Sequence, residues 1–186
     1  MNTIQIILNE LEQLSQFIDE NELKNMVEMF YKAKKENSNV FLAGAGRSGC
    51  IARAFANRLM HLGFNCFVVG DITTKPIQKE DILFILSGSG KTSSLVSISQ
   101  KAKQFDAHIL TITLQKDGDI GKIASASIVL PGTTRLQDKV MFQSIQPVGS
   151  SFEQLAWLTC DALIMLLKEK LNLSNDDLIK HHTNLE

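Results

Sequence analysis

Ile82-Leu83-Phe84-Ile85-Leu86-Ser87-Gly88-Ser89-Gly90-Lys91-Thr92-Ser93-Ser94 reads as a buried strand running into a loop of hydroxyls and glycines. A helical pattern follows through Leu95, Val96, Ile98 and Ala102. Glycines let the backbone turn sharply and approach a ligand closely. A helix starting at such a turn leaves unpaired N–H groups and the positive end of its dipole facing one point. With no acid in the loop, that point suits a phosphate or another small anion. The plain alternative is a tight turn with an N-cap. An ATP-type P-loop is excluded, although Gly90-Lys91-Thr92 looks like its tail. That motif needs a glycine five residues before Gly90, where Ile85 lies inside the strand.

Working outward, residues 40–43 form another short apolar strand, followed by Gly44-Ala45-Gly46-Arg47-Ser48-Gly49. A helix then runs to about residue 62, with Ile51, Phe55, Leu59 and Leu62 on its inner face, and Gly63 stops it. Further strands are expected over 64–69, 108–112 and 127–130, and helices over about 91–105 and 118–124. Continuous apolar strands alternating with helices indicate a parallel sheet covered on both faces. The expected fold is therefore α/β: a five-stranded parallel sheet with helices on both faces, flavodoxin-like, plus N-terminal helices and a long C-terminal helix. The N-terminal pair covers 2–18, with Ile4, Ile7, Leu8, Leu11, Leu14 and Ile18 at helical spacing, and 22–36. After an irregular connection over 131–147, a helix over 150–171 is apolar on more than one side, which suggests packing against another subunit. A short helix over 175–181 and a tail follow. A single domain is expected: a helical extension over 1–37, an α/β core over 38–131, and C-terminal helices with a tail over 147–186.

Composition bounds the function. The 186 residues are 44% apolar, and 19 basic residues against 20 acidic ones leave a net charge of −1. No basic stripe offers the footprint of nucleic-acid binding. Lys32, Lys34 and Lys35 fall in the last turn of a helix and read as a solvated, dipole-complementing end. Cys50, Cys66 and Cys160 show no CxxC spacing and read as buried, reduced thiols. No apolar run approaches a membrane span, and no signal-peptide pattern opens the chain, so a cytoplasmic protein is expected.

Gly44, Gly46 and Gly49 also match a dinucleotide fingerprint, with Asp71 at the end of the next strand as the ribose-binding acid. Arg47 and Ser48 weaken that alternative, because dinucleotide loops rely mainly on backbone. The loop at 87–94 would have no task, and no separate substrate domain is visible. Two glycine/serine loops at the carboxyl ends of parallel strands instead point to one crevice and one small phosphorylated ligand.

These stretches carry a family resemblance. Gly44-Ala45-Gly46-Arg47-Ser48-Gly49, Arg58-Leu59-Met60-His61-Leu62-Gly63 and Ser87-Gly88-Ser89-Gly90-x-Thr92 resemble the sugar isomerase (SIS) domain of 6-phospho-3-hexuloisomerases. Ser144-Ile145-Gln146-Pro147-x-Gly149-Ser150-x-Phe152-Glu153-Gln154 and His181-His182-x-Asn184-Leu185-Glu186 are similar too, so the resemblance spans essentially the whole chain. It departs at Lys91, where the family usually has an acid. It implies a SIS-type fold and interconversion of 3-hexulose 6-phosphate with fructose 6-phosphate through an enediol. No cofactor and no metal are implied, and no His/Cys cluster has zinc spacing. The route served would be the ribulose monophosphate route of formaldehyde assimilation, or pentose supply.

The expected anchors are Ser48, Ser87, Ser89 and Thr92, with the N–H groups of the loop through Gly88, Gly90 and Lys91, while Arg47 adds charge to the phosphate or to a sugar oxygen. Glu153 is the expected base, near the start of the long helix, its pKa raised by an apolar wall at Phe152. His61 is the candidate proton shuttle, and His181 and His182 are candidates to reach a neighbour's crevice. The expected assembly is a homo-oligomer, a tetramer. A non-catalytic sugar-phosphate sensor and another SIS phosphosugar isomerase are the competing readings.

Overall fold

The computed structural model describes residues 2–132 and 144–184. Five strands form one parallel sheet: β1 (Asn39–Gly44), β2 (Asn65–Val68), β3 (Ile82–Leu86), β4 (His108–Thr113) and β5 (Ala126–Val129), in the order β2-β1-β3-β4-β5. Among the described residues six helices accompany it: α1 (Thr3–Ser15), α2 (Glu20–Lys35), α3 (Arg47–His61), α4 (Ser93–Gln104), α5 (Ser150–Lys170) and α6 (Asn175–Lys180). The order is that of a flavodoxin-like sheet, in which the chain leaves β1 toward one edge and β3 toward the other.

Alternation along the strands divides the core. Val40, Leu42, Phe84, Leu110, Ile112 and Ile128 join residues of α1, α2, α3 and α5 in one large cluster. Phe30 of α2 sits at its centre, its ring 5.8 Å from Phe55, 6.2 Å from Phe64 and 6.0 Å from Phe84. Phe41, Ala43, Leu83, Ile85 and Ile109 pack on the other face with Leu95 and Ala102 of α4. Because β3 and β4 are buried on both faces, every residue from Ile82 to Leu86 is inaccessible, which is why that run lacks polar alternation.

Several boundaries differ from expectation. Helix α4 begins at Ser93 rather than 91, because Gly90 N–H bonds the Ser87 carbonyl and Lys91 N–H bonds Ser89 Oγ, holding those residues in a turn. The helix expected over 118–124 is a single 3₁₀ turn, Gly121–Ile123. Phe64 precedes β2 and fills the core instead of pairing. The lysine cluster is not simply solvated: Lys34 donates to the Gly63 carbonyl and its burial lowers its pKa, while Lys35 lies over the Tyr31 ring. Cys50 is exposed, Cys66 half-buried and Cys160 buried, the last two thiols pushed up in pKa by burial.

Candidate active site

The register sets the two loops side by side. Gly44 pairs with Leu86, so the chain leaves β1 and β3 at the same level and the loops border the switch point of the sheet. The first loop depends on close backbone approach. A Cβ at Gly44 would stand 2.7 Å from the Ser48 carbonyl oxygen, and one at Gly49 would stand 2.7 Å from that of Gly44. Strand end and helix start therefore touch, which carries Arg47 and Ser48 to the crevice mouth. No side chain caps α3.

The second loop is fastened by its own backbone. Ser87 N–H donates to Ile112 O at 3.1 Å, Leu114 N–H to Gly88 O at 3.0 Å and Ile120 N–H to Gly90 O at 3.1 Å. Thr113 Oγ1 adds a bond to Gly88 O at 3.2 Å. Ser87 and Ser89 are buried, Thr92 is half-buried, and Lys91 projects outward. Thr92 occupies the N-cap position of α4 yet makes no side-chain cap bond, so the capping explanation of that hydroxyl does not apply.

Glu153 lies in the first turn of α5, whose N-cap Gly149 adopts a left-handed conformation with φ 91°. Arg47 Nε stands 3.0 Å from Glu153 Oε1, and Arg47 Nη2 donates to Val148 O at 3.1 Å. The Glu153 side chain is only 18% exposed against 63% for Arg47. Burial pushes the carboxyl upward from the ordinary glutamate range, and the guanidinium pulls in the opposite direction. The apolar surroundings are not those expected. Phe152, next along the helix and turned by about 100°, is buried in the core. A pocket of about 560 Å³ beside Glu153 and Arg47 takes its apolar wall from Ile7, Leu8 and Leu11 of α1 and from Ile51, Trp157 and Leu158.

His61, His181 and His182 come together elsewhere. His61 is buried and stacks on His182 with ring centroids 4.9 Å apart, while His181 Nε2 lies beside Gly63. Burial, followed by the nearby His182, Arg58 and His181, lowers the pKa of His61. This cluster occupies the end of α3 opposite to Arg47, about 20 Å away at roughly 1.5 Å per residue. Asp71 is engaged by Arg53 at 2.8 Å. Among the described residues, no three His, Cys, Asp or Glu side chains are grouped to hold a metal ion.

One residue escaped the sequence reading. Glu10, 5% exposed in α1, accepts from Ser144 Oγ at 2.5 Å, Ile145 N–H at 3.3 Å and Gln146 Nε2 at 3.4 Å. An acid set between Ile7 and Leu14 on the apolar stripe of a helix was the available signal.

Residues 32–157 match the SIS domain, and the chain belongs to the SIS domain family. A 3-hexulose-6-phosphate isomerase of Bacillus subtilis is 40% identical over 97% of this chain and 95% of its own length. Another protein of that name, from Methanocaldococcus jannaschii, is 35% identical over 100% of this chain and 98% of its own. A solved protein of Methanococcus jannaschii, for which the function of 3-hexulose-6-phosphate isomerase has been inferred, superposes with a TM-score of 0.83 at 33% identity, covering both chains completely.

Proposed function

We propose that this protein is an isomerase that interconverts 3-hexulose 6-phosphate and fructose 6-phosphate in the cytoplasm. One observation carries the reading: a largely buried carboxylate is ion-paired to Arg47, on the turn that follows β1, in a chain related along its whole length to proteins of that name. The loop Ser87 to Thr92 and the α4 N-terminus hold the phosphate, through Ser87, Ser89 and Thr92 hydroxyls and the N–H groups of Gly88 and of the first turn of α4. Ser48 completes that anchor from the adjacent loop. Arg47, paired with the base, steadies an oxygen of the sugar through its charge.

Glu153 is the base. It takes hydrogen from C2 of the 3-ketose as a proton, the C–H electrons form the C2–C3 double bond, and the former carbonyl oxygen at C3 gains a proton. Returning a proton to C3, while the C2 hydroxyl gives up its own, leaves the ketone at C2. Atoms and electrons balance without an oxidant. A partly desolvated carboxylate suits proton abstraction better than a solvated one, since its basicity lies closer to working pH.

The assembly we propose is a homotetramer. Ile4, Leu8, Trp157, Leu158 and Met165 leave an apolar face exposed on α1 and α5, which a second copy would cover. His61 at the far end of α3, and His182 stacked on it, lie too far away to serve Glu153 of the same chain. Any part they take in moving protons is at a neighbour's crevice.

A coupled assay tests the activity. Purified protein given 3-hexulose 6-phosphate should produce fructose 6-phosphate, read as NADP reduction after conversion to glucose 6-phosphate. Binding of the sugar phosphate without turnover would leave a non-catalytic sensor in its place.

A further inference from the structure

We infer that Glu10, on a helix outside the stretch matched to the SIS domain, is a positioning residue for the Arg47–Glu153 pair. The inference rests on the reading of Glu153 as the base.

Both oxygens of the Glu10 carboxylate are engaged. Oε1 accepts from Ser144 Oγ and Gln146 Nε2, and Oε2 from the Ile145 N–H. Ser144 Oγ in turn accepts from the Gln146 N–H at 3.1 Å, so the turn is built around one buried carboxylate. Among the described residues Glu10 has no cationic partner. Its burial is sustained by directed hydrogen bonds, which fix geometry more tightly than a point charge would.

The turn leads directly into the base corner. Pro147 O accepts from the Ser150 N–H, Val148 O accepts from Arg47 Nη2, and Gly149 O accepts from the Glu153 N–H. A shift of the 144–146 turn is thus transmitted within a few residues to both members of the ion pair. Helix α1 also presents Ile7, Leu8 and Leu11 to the pocket beside Glu153. Helix α1 supplies both part of the apolar wall beside the base and the clamp that aims it.

The test is a double-mutant cycle between Glu10→Ala and Glu153→Gln, with kcat and KM for 3-hexulose 6-phosphate and thermal melting recorded for each. Misplacing a reacting group by about 1 Å costs on the order of a hundredfold. Glu10→Ala should therefore lower kcat by about ten- to a hundredfold, with KM within about threefold. In the Glu153→Gln background it should cause little additional loss, because there is no base left to aim. Ser144→Ala, which removes one donor and leaves the carboxylate in place, should give a smaller loss of the same kind if Glu10→Ala does not fold. Unchanged kcat in these variants, or losses that multiply with that of Glu153→Gln, would overturn the positioning role. Near-normal turnover in Glu153→Gln alone would instead reject Glu153 as the base, a separate outcome.

Discussion

The two sides of the crevice are held in different ways. The loop from Ser87 to Thr92 is fastened mainly by backbone bonds to the exit of β4 and the segment beyond it, so its course depends little on any one side chain. The corner made by Arg47 and Glu153 is assembled from side chains of α3 and α5, linked by a buried acid on α1 to the turn before α5. A site fixed by main chain should bend to single substitutions and lose affinity by degrees. A site fixed by side chains from three stretches should fail abruptly when one member is altered.

The largest effect expected from that contrast is at the proposed base. Glu153→Gln keeps shape and removes the proton acceptor, so kcat should fall by about 10²–10⁴-fold, with affinity for fructose 6-phosphate by calorimetry little changed. On the loop, Thr92→Ala and Ser87→Ala should each raise KM by roughly tenfold, with kcat altered much less. A hydrogen bond to a charged group contributes about 1.5–3 kcal/mol, and the backbone donors remain. Equal collapse of kcat at Thr92 would erase the distinction between the two sides.

The smallest effect is a movement in pH. Burial raises the Glu153 pKa, so the acid limb of kcat/KM should lie above the ordinary glutamate range, with activity lost as pH falls through it. Arg47 opposes that rise. Arg47→Met should therefore shift the limb further toward neutral pH, in addition to weakening binding. A shift toward acid would mean that Glu153 is not the titrating base.

The same contrast explains what could be read from the chain. Apolar strands such as Ile82 to Leu86 and the glycines after them announce a parallel sheet and a backbone-lined loop, because those features are local in sequence. The neighbourhood of Glu153 is not local. Whether residue 152 or 153 faces the core depends on the phase at which α5 meets the sheet, and Phe152 takes the core while α1 supplies the wall. Glu10 was hidden for the same reason, since its partners lie more than 130 residues away. The pairing of His61 with His182 likewise depends on where the tail folds back, which residue spacing does not encode.

The most direct test of carbon deprotonation at this corner is solvent exchange. Fructose 6-phosphate incubated with the protein in D₂O and followed by NMR should exchange its C3 hydrogen for deuterium. Arg47 and part of Glu153 are open to water, so the proton removed can leave. The C1 hydrogens should be retained, and Glu153→Gln should abolish the exchange. Exchange at C1 instead, or exchange at C3 that persists undiminished in Glu153→Gln, would contradict the proposed chemistry.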